Sequence, residues 1–249
     1  MVINTEELVS KINEELFRRA GKGVVWHHDE ASGYRWLVKR AGSLRWVTGP
    51  IIRKLGRDVF REIKAQGIQK IDDVLDLCDD LLSRQVSEYR VIAFQWSFRL
   101  KRYFEPRHFN IFERWAKSYL TGWGSCDDFC THSMGYFVYR YPQVSPKVKR
   151  WVSHPKPPVR RAAAVAFIYS LRRGQALEHI FEVADALLTD TDIYVLKGYG
   201  WMLKEATKYY QDAVFEYVQK HKAIMPRVSL RYAIEKMPQD MKDKAMARD

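Results

Sequence analysis

Residues 118–132 read SYLTGWGSCDDFCTH, and they gather the residue types of a working site: Trp123 between Gly122 and Gly124, then Ser125, then the adjacent carboxylates Asp127 and Asp128. A carboxylate four residues from a flat ring can face a substrate which that ring holds. The same letters also make a helix start. Ser125 can serve as N-cap with Asp128 answering it in a capping box, and Asp127 then sits in a first turn that favours carboxylates by roughly 0.3 to 1 kcal/mol. This accounts for the acids but not for Trp123 between its glycines.

A second group lies in DIYVLKGYGWMLKEATKYY, residues 192–210. At 100° per residue, Val195, Tyr199, Met202 and Ala206 gather on one side of a helix, and Leu196, Gly200, Leu203 and Thr207 on another. Lys197, Trp201, Lys204 and Lys208 share the remaining wedge, with Tyr194 at its margin. A tryptophan inside a lysine stripe suits a sugar-phosphate backbone, which takes cations and flat rings together; the alternative is a ring lying over a neighbouring helix amid solvated lysines. Gly198 and Gly200 each cost roughly 1 kcal/mol in a helix interior, so another backbone is expected to come close to them.

In PKPPVRRAAAVAF, Arg160 and Arg161 open a further helix. A helix N-terminus favours anions, so two arginines there ask for an incoming phosphate or for carboxylates from elsewhere in the chain.

Other chemistries are weaker. His27, His28, Asp29 and Glu30 are ligand types, but adjacent histidines point in different directions and the surrounding composition is that of a loop. Cys126, Cys130 and His132 lack zinc spacing. With Cys78, the three cysteines are too few for a disulfide framework and read as small buried hydrophobes. Neither a metal nor another cofactor is expected.

The elements that must position these residues are helical. The 249 residues are 47% hydrophobic, enough for a sizeable core, and helical periodicity dominates while strand alternation is nearly absent. Leu8, Ile12 and Leu16 repeat behind Asn4. Further helices are expected over 50–65, 71–83, 87–103, 111–119, 127–138, 146–153, 158–172, 176–188, 192–209, 212–220 and 227–236. Residues 21–50, where glycines and aromatics break the pattern, read as a loop-rich edge. Brief turns between short helices argue for antiparallel pairs stacked as an all-α, HEAT-like solenoid, a single domain over 1–249 with a concave basic surface and with 1–50 its least patterned part.

Charge points to the partner. Lys and Arg outnumber Asp and Glu 42 to 30, for a net +12. Between Phe129 and Leu177 there is no acid at all, while Arg140, Lys147, Lys149, Arg150, Lys156, Arg160, Arg161, Arg172 and Arg173 accumulate. A polyanion, nucleic acid above all, fits this better than a membrane surface, because no single amphipathic helix gathers the charge. No apolar run long enough to cross a membrane occurs, and the acidic start MVINTEELVSKINEEL is unlike a signal peptide. A cytoplasmic monomer working with the chromosome is the expectation.

Taken together, Trp123 and Asp127 in GWGSCDD, Arg161 in RRAAAVAF and Trp201 in LKGYGWMLKEATKYYQDAVFEYVQKH resemble the AlkD-like alkylpurine DNA glycosylases, which are HEAT-like repeat proteins. The similarity spans about Trp46 to Met237. It implies Asp127 as catalytic carboxylate, Trp123 and Trp201 as the rings facing the sugar, and Arg161 on the phosphate side, with Arg160, Lys147, Lys149, Arg150, Lys197, Lys204 and Lys208 gripping DNA. The chain departs from the family at Gly122 and Gly124, where a second tryptophan and an acid are usual, and at Thr48 in WVTGPIIRKL, where a polar amide is common. The implied activity is hydrolysis of the N-glycosidic bond of cationic N3- or N7-alkylated purines in double-stranded DNA, without a base pocket, leaving an abasic site. The alternative is a non-catalytic HEAT-repeat protein that binds damaged or branched DNA.

Overall fold

The computed structural model describes residues 4–20, 24–29, 33–40, 43–68 and 70–247. They fall into two compact units, Met1–Glu105 and Pro106–Asp249.

The first unit opens with α1 (Thr5–Ala20), started by Asn4, whose Oδ1 accepts from the Glu6 N–H at 3.0 Å. Its predicted stripe of Leu8, Ile12 and Leu16 is buried. The next stretch corrects the expectation of a loop-rich edge. β1 (Val24–Asp29), β2 (Gly33–Arg40) and β3 (Ser43–Trp46) form a three-stranded antiparallel sheet in chain order, with Trp26 opposite Trp36 and Leu37 opposite Trp46. The aromatic and β-branched residues that interrupted the helical period are those that favour strands. His27 and His28 are exposed neighbours on β1, so the alternation of a strand sends them to opposite faces. Glu30 lies outside the described residues.

Three helices complete this unit: α2 (Gly49–Ala65), α3 (Ile71–Ser83) and α4 (Ser87–Arg99), the last followed by a 3₁₀ turn, Lys101–Tyr103. α2 buries Ile52, Leu55, Val59, Phe60 and Ile63 on one face. The Trp96 indole N–H donates to the Gly56 carbonyl at 2.7 Å, tying α4 to α2.

The second unit comprises α5 (Phe109–Tyr119), α6 (Trp123–Cys130), α7 (Ser133–Arg140), α8 (Ser145–Lys149), α9 (Pro157–Val165), α10 (Ile168–Leu171), α11 (Leu177–Leu187), α12 (Ile193–His221), α13 (Arg227–Ile234) and α14 (Gln239–Met246). Its core is aromatic. Phe112 lies 5.3 Å from Trp115, 5.9 Å from Phe129 and 5.5 Å from Phe137, ring centre to ring centre. Cys126 and Cys130 are fully buried with free thiols, the small-hydrophobe role expected of them.

The helix expected over 127–138 is instead two, α6 and α7, parted at Thr131 and His132, where His132 takes φ −119° and ψ −96°. Gly135 lets the chain turn so tightly, since a Cβ there would lie 2.3 Å from the Cys130 carbonyl oxygen and 2.8 Å from Tyr169 Cβ. The helices expected over 192–209 and 212–220 are the two segments of α12, which breaks at Tyr210, a residue with non-helical φ −135° and ψ 42°. Among the described residues no helix is long and apolar enough to cross a membrane.

Candidate functional site

The site begins at the entry to α6. Gly122, not Ser125, is the N-cap; Trp123 takes the first helical position and Ser125 the third. The Ser125 hydroxyl reaches back, accepting from the N–H groups of Thr121 (3.1 Å) and Gly122 (3.2 Å) and donating to the Gly122 carbonyl (3.0 Å). The serine thus supplies the returning half of a cap whose leading residue has no side chain. The helix consequently starts earlier than the acids suggested, and Asp127 stands in its second turn. One turn separates Trp123 from Asp127, so both project from the same face. A Cβ on either Gly122 or Gly124 would meet nothing within 4 Å, so the flanks of Trp123 are open where bulkier groups were expected from the resemblance.

α9 supplies the second component. It starts at Pro157, which places Arg160 and Arg161 a full turn inside the helix, and each charge is met by a carboxylate from elsewhere in the chain. Arg160 forms a forked pair with Asp190, Nε to Oδ2 at 2.6 Å and Nη2 to Oδ1 at 3.0 Å. Arg161 does the same to Asp127, Nε to Oδ1 at 2.8 Å and Nη2 to Oδ2 at 3.0 Å, while its Nη1 donates to the Tyr194 carbonyl. Of the two open readings, carboxylates from elsewhere in the chain are what the arginines find.

α12 closes the site. Asp192 caps it, accepting from the N–H groups of Tyr194 (2.8 Å) and Val195 (3.0 Å). Both predicted packing faces are buried, and Lys197, Trp201 and Lys204 occupy the half-buried wedge between them. Gly200 lets the backbone of α13 come close, as anticipated, whereas what Gly198 admits is a side chain. A Cβ on Gly198 would lie 3.0 Å from Arg161 Cγ, and one on Gly200 would lie 2.8 Å from both the Ser229 carbonyl oxygen and Tyr232 Cβ of α13. Gly198 therefore admits the arginine that holds Asp127.

These parts surround an open cleft of about 320 Å³ lined by Trp123, Asp127, Arg161, Tyr194, Lys197, Trp201, Lys204 and Tyr232. Trp123, 55% exposed, stacks on Tyr194 with centroids 6.3 Å apart and planes 18° from parallel. Trp201 stands between two guanidiniums, Arg161 at 5.9 Å and Arg172 at 5.8 Å from its ring centre. Its indole N–H donates to Glu205 at 3.0 Å, and Glu205 is held in turn by Arg172 (3.0 Å) and Lys236 (3.3 Å).

The electrostatics follow from this enclosure. The Asp127 side chain is 23% exposed and that of Arg161 only 7%. Burial pushes the Asp127 carboxyl above its ordinary value, against the pull of Arg161, and Asp128 adds to the rise. For Glu205, burial pushes up, but the bonds from Arg172 and Trp201 outweigh it and hold the group below the usual carboxylate range.

Of the eleven residues proposed from sequence, six converge here: Asp127, Trp123, Trp201, Arg161, Lys197 and Lys204. Lys208 lies further along α12, over the Tyr209 ring at 4.9 Å. Lys147 and Arg150 line a different cleft of about 510 Å³ with Lys117 and His154, Lys149 pairs with Glu182, and Arg160 is engaged by Asp190. Three contributors went unremarked in the sequence: Tyr232, Glu205 and the supporting Lys236. Glu205 carried a signal, being one helical turn from Trp201, whereas Tyr232 and Lys236 depend on how α13 and its C-terminal end lie against α12.

No curated protein matches the chain. Among solved structures, it resembles a predicted DNA alkylation repair enzyme from Enterococcus faecalis, with a TM-score of 0.67 and 14% identity over 78% of this chain and 87% of that one. It also resembles smu.31 from Streptococcus mutans UA159, with a TM-score of 0.53 and 17% identity over 75% of this chain and 98% of that one. At such identities the likeness is one of fold, helical and solenoid-like. The model of the DNA alkylation repair enzyme family matches residues 27–237, most of the chain, and the protein belongs to that family.

Proposed function

We propose that the protein is a monofunctional DNA glycosylase that hydrolyses the N-glycosidic bond of cationic N3- or N7-alkylated purines in duplex DNA and leaves an abasic site. The observation that carries the proposal is the Asp127 carboxylate, aimed by Arg161 into a cleft walled by Trp123, Tyr194 and Trp201 and rimmed by Lys197 and Lys204.

The chemistry suits these groups. An N3- or N7-alkylated purine is already positively charged and leaves without being protonated, so catalytic demand falls on the sugar. As the bond breaks, the deoxyribose becomes oxocarbenium-like, and a carboxylate stabilises that charge and orients the attacking water. Arg161 occupies one lone-pair site on each Asp127 oxygen, and a carboxylate has about four, so acceptor capacity remains on both. The arginine fixes the carboxylate's direction and offsets the burial that disfavours its charge. Indole faces attract the cationic nucleoside, each by about 0.5 to 2 kcal/mol. Lys197 supplies charge to the flanking phosphates, as does Lys204 on exchanging its Glu235 partner, 3.1 Å away, for a phosphate. The cleft is open and shallow, which fits action on an exposed sugar rather than on a base enclosed in a pocket.

The test is release of free base from duplex DNA carrying N7-methylguanine or N3-methyladenine. Wild type is expected to release it, Asp127→Asn to lose about 100-fold or more, on the scale of removing one charge-stabilising group, and Trp201→Ala to be weakened. A folded wild type that binds this DNA and frees no base refutes the proposal. One observation favours a second reading, binding to damaged or branched DNA without catalysis: both Asp127 oxygens already accept from Arg161, as in a structural ion pair. Under that reading Asp127→Asn changes stability and affinity, and base release is absent throughout.

A further inference from the structure

The first unit contains a cleft whose lining is strongly one-signed. It measures about 650 Å³ and is lined by Arg57, Arg61 and Lys64 from α2, by Arg99, Lys101 and Arg102 from the end of α4 and the 3₁₀ turn after it, and by apolar and aromatic groups including Tyr103. No Asp or Glu is among the described residues that line it. The sequence conceals this, because residues 1–105 mix signs throughout and the two cationic segments are some 40 residues apart. On α2 the three cations recur at i, i+4 and i+7 and share a face. The carboxylate near Arg61 is Asp58, 3.9 Å away and already held by Arg19 at 2.9 Å. Burial first, then the charges of Arg57 and Arg61, push the Arg99 guanidinium below its ordinary value. Like charges crowded this way raise the free energy of the empty cleft and favour an anion within it.

The cleft is separate from the Asp127 site, which lies wholly in the other unit. It also lies away from the Gly49–Pro50 start of α2. At 1.5 Å per residue, Arg57 and Lys64 stand about 12 and 22 Å along the helix from Gly49.

We propose that this cleft is a second nucleic-acid contact that grips a run of phosphodiesters, with Tyr103 at its edge as a stacking surface. A single small anion needs one or two cations, whereas six around one cleft match a chain of phosphates. Tyr103, 62% exposed, supplies the flat ring that single-strand and backbone-tracking sites place among cations. This inference does not depend on the chemistry proposed for Asp127.

The experiment uses the full chain carrying Arg57→Ala, Arg61→Ala and Arg102→Ala together, with Lys220→Ala, Lys242→Ala and Lys244→Ala as a control of equal charge change. Binding to unmodified duplex and to a dT oligonucleotide is followed by fluorescence anisotropy from 50 to 300 mM salt, with circular dichroism verifying the fold. For duplex DNA, each phosphate contact contributes about 0.9 to the slope of log K against log salt. Loss of three contacts is therefore expected to reduce the slope by about 2 to 3 and to weaken binding at least tenfold at 100 mM salt, with the control close to wild type. An unchanged slope, or an equal reduction in the control, overturns the proposal. So does unchanged DNA binding in the triple variant accompanied by lost binding to phosphatidylserine vesicles, which would assign the cleft to a membrane surface.

Discussion

Replacing Gly200 by alanine inserts one methyl group between α12 and α13. Its Cβ would stand 2.8 Å from the Ser229 carbonyl oxygen, 2.8 Å from Tyr232 Cβ and 3.1 Å from Ser229 Cα. Carbon contacts prefer about 3.5 to 4.0 Å, so α13 must retreat by close to 1 Å. It is tethered against doing so, because the Ser229 hydroxyl donates to the Leu196 carbonyl of α12 at 2.9 Å. Overpacking of this kind costs about 1 to 3 kcal/mol, and straining the tether adds up to about 1 kcal/mol. Against this stands a gain of about 1 kcal/mol from Ala over Gly in a helix interior. The net expectation is a loss of about 1 to 2 kcal/mol. Gly124→Ala is the matched control, since its Cβ meets nothing within 4 Å and the propensity gain of roughly 0.5 to 1 kcal/mol stands alone. Both glycines lie in the second unit, so urea unfolding followed by far-ultraviolet circular dichroism reads them against the same transition. With a slope of about 2 to 3 kcal/mol per molar, the midpoint should fall by about 0.5 M for Gly200→Ala and rise slightly for Gly124→Ala. A Gly200→Ala midpoint at or above wild type refutes the close-packing argument, as does a fall for Gly124→Ala.

Gly198→Ala pushes on a flexible side chain rather than a backbone, Arg161 Cγ at 3.0 Å and Nη1 at 3.1 Å, so stability should stay within about 1 kcal/mol of wild type. Base release should nevertheless fall about tenfold, because a displaced Arg161 misdirects Asp127; an unchanged rate would show that the clamp does not position the carboxylate. Because burial raises the Asp127 carboxyl and only its ionised form serves an oxocarbenium-like sugar, kcat/KM for base release should increase with pH through a value above that of an ordinary aspartate, and a profile already flat at about pH 4 contradicts this. At Asp190, burial pushes the carboxyl up, but Arg160 and the Asp192 N–H more than reverse it, so the folded value lies below the unfolded one. Its contribution to stability is therefore present above about pH 4 and is lost as the pH falls through the lower folded value. Asp190→Asn should cost about 2 to 3 kcal/mol in urea titrations at pH 7, since it leaves a largely buried Arg160 without its carboxylate partner, and the cost should shrink as the pH falls through the lowered folded value.

The sequence by itself determined most of the helices and the faces they bury. The four-residue repeat of Leu8, Ile12 and Leu16 and the two packing rows of α12 are local properties, fixed by 3.6 residues per turn, and the folded chain buries them as read. The presence of Trp123, Asp127, Arg161 and Trp201 in one cleft was legible only through resemblance to a family, because periodicity constrains neighbours along one helix and not partners 34 or 74 positions away. Tertiary structure alone decided where the charges went. Arg160 and Arg161 follow one another on α9, yet they fork onto Asp190, in the connection before α12, and Asp127, on α6. It also decided that Ser125 answers a cap rather than forming one, which turns Asp127 out of the first turn and onto the face of Trp123. The sheet between α1 and α2 was the plainest difference, since strands are stabilised by cross-strand pairs whose partners a single run of residues does not name. The six cations that line the first unit's cleft are scattered among acids along the chain and become one surface only where the end of α4 meets α2.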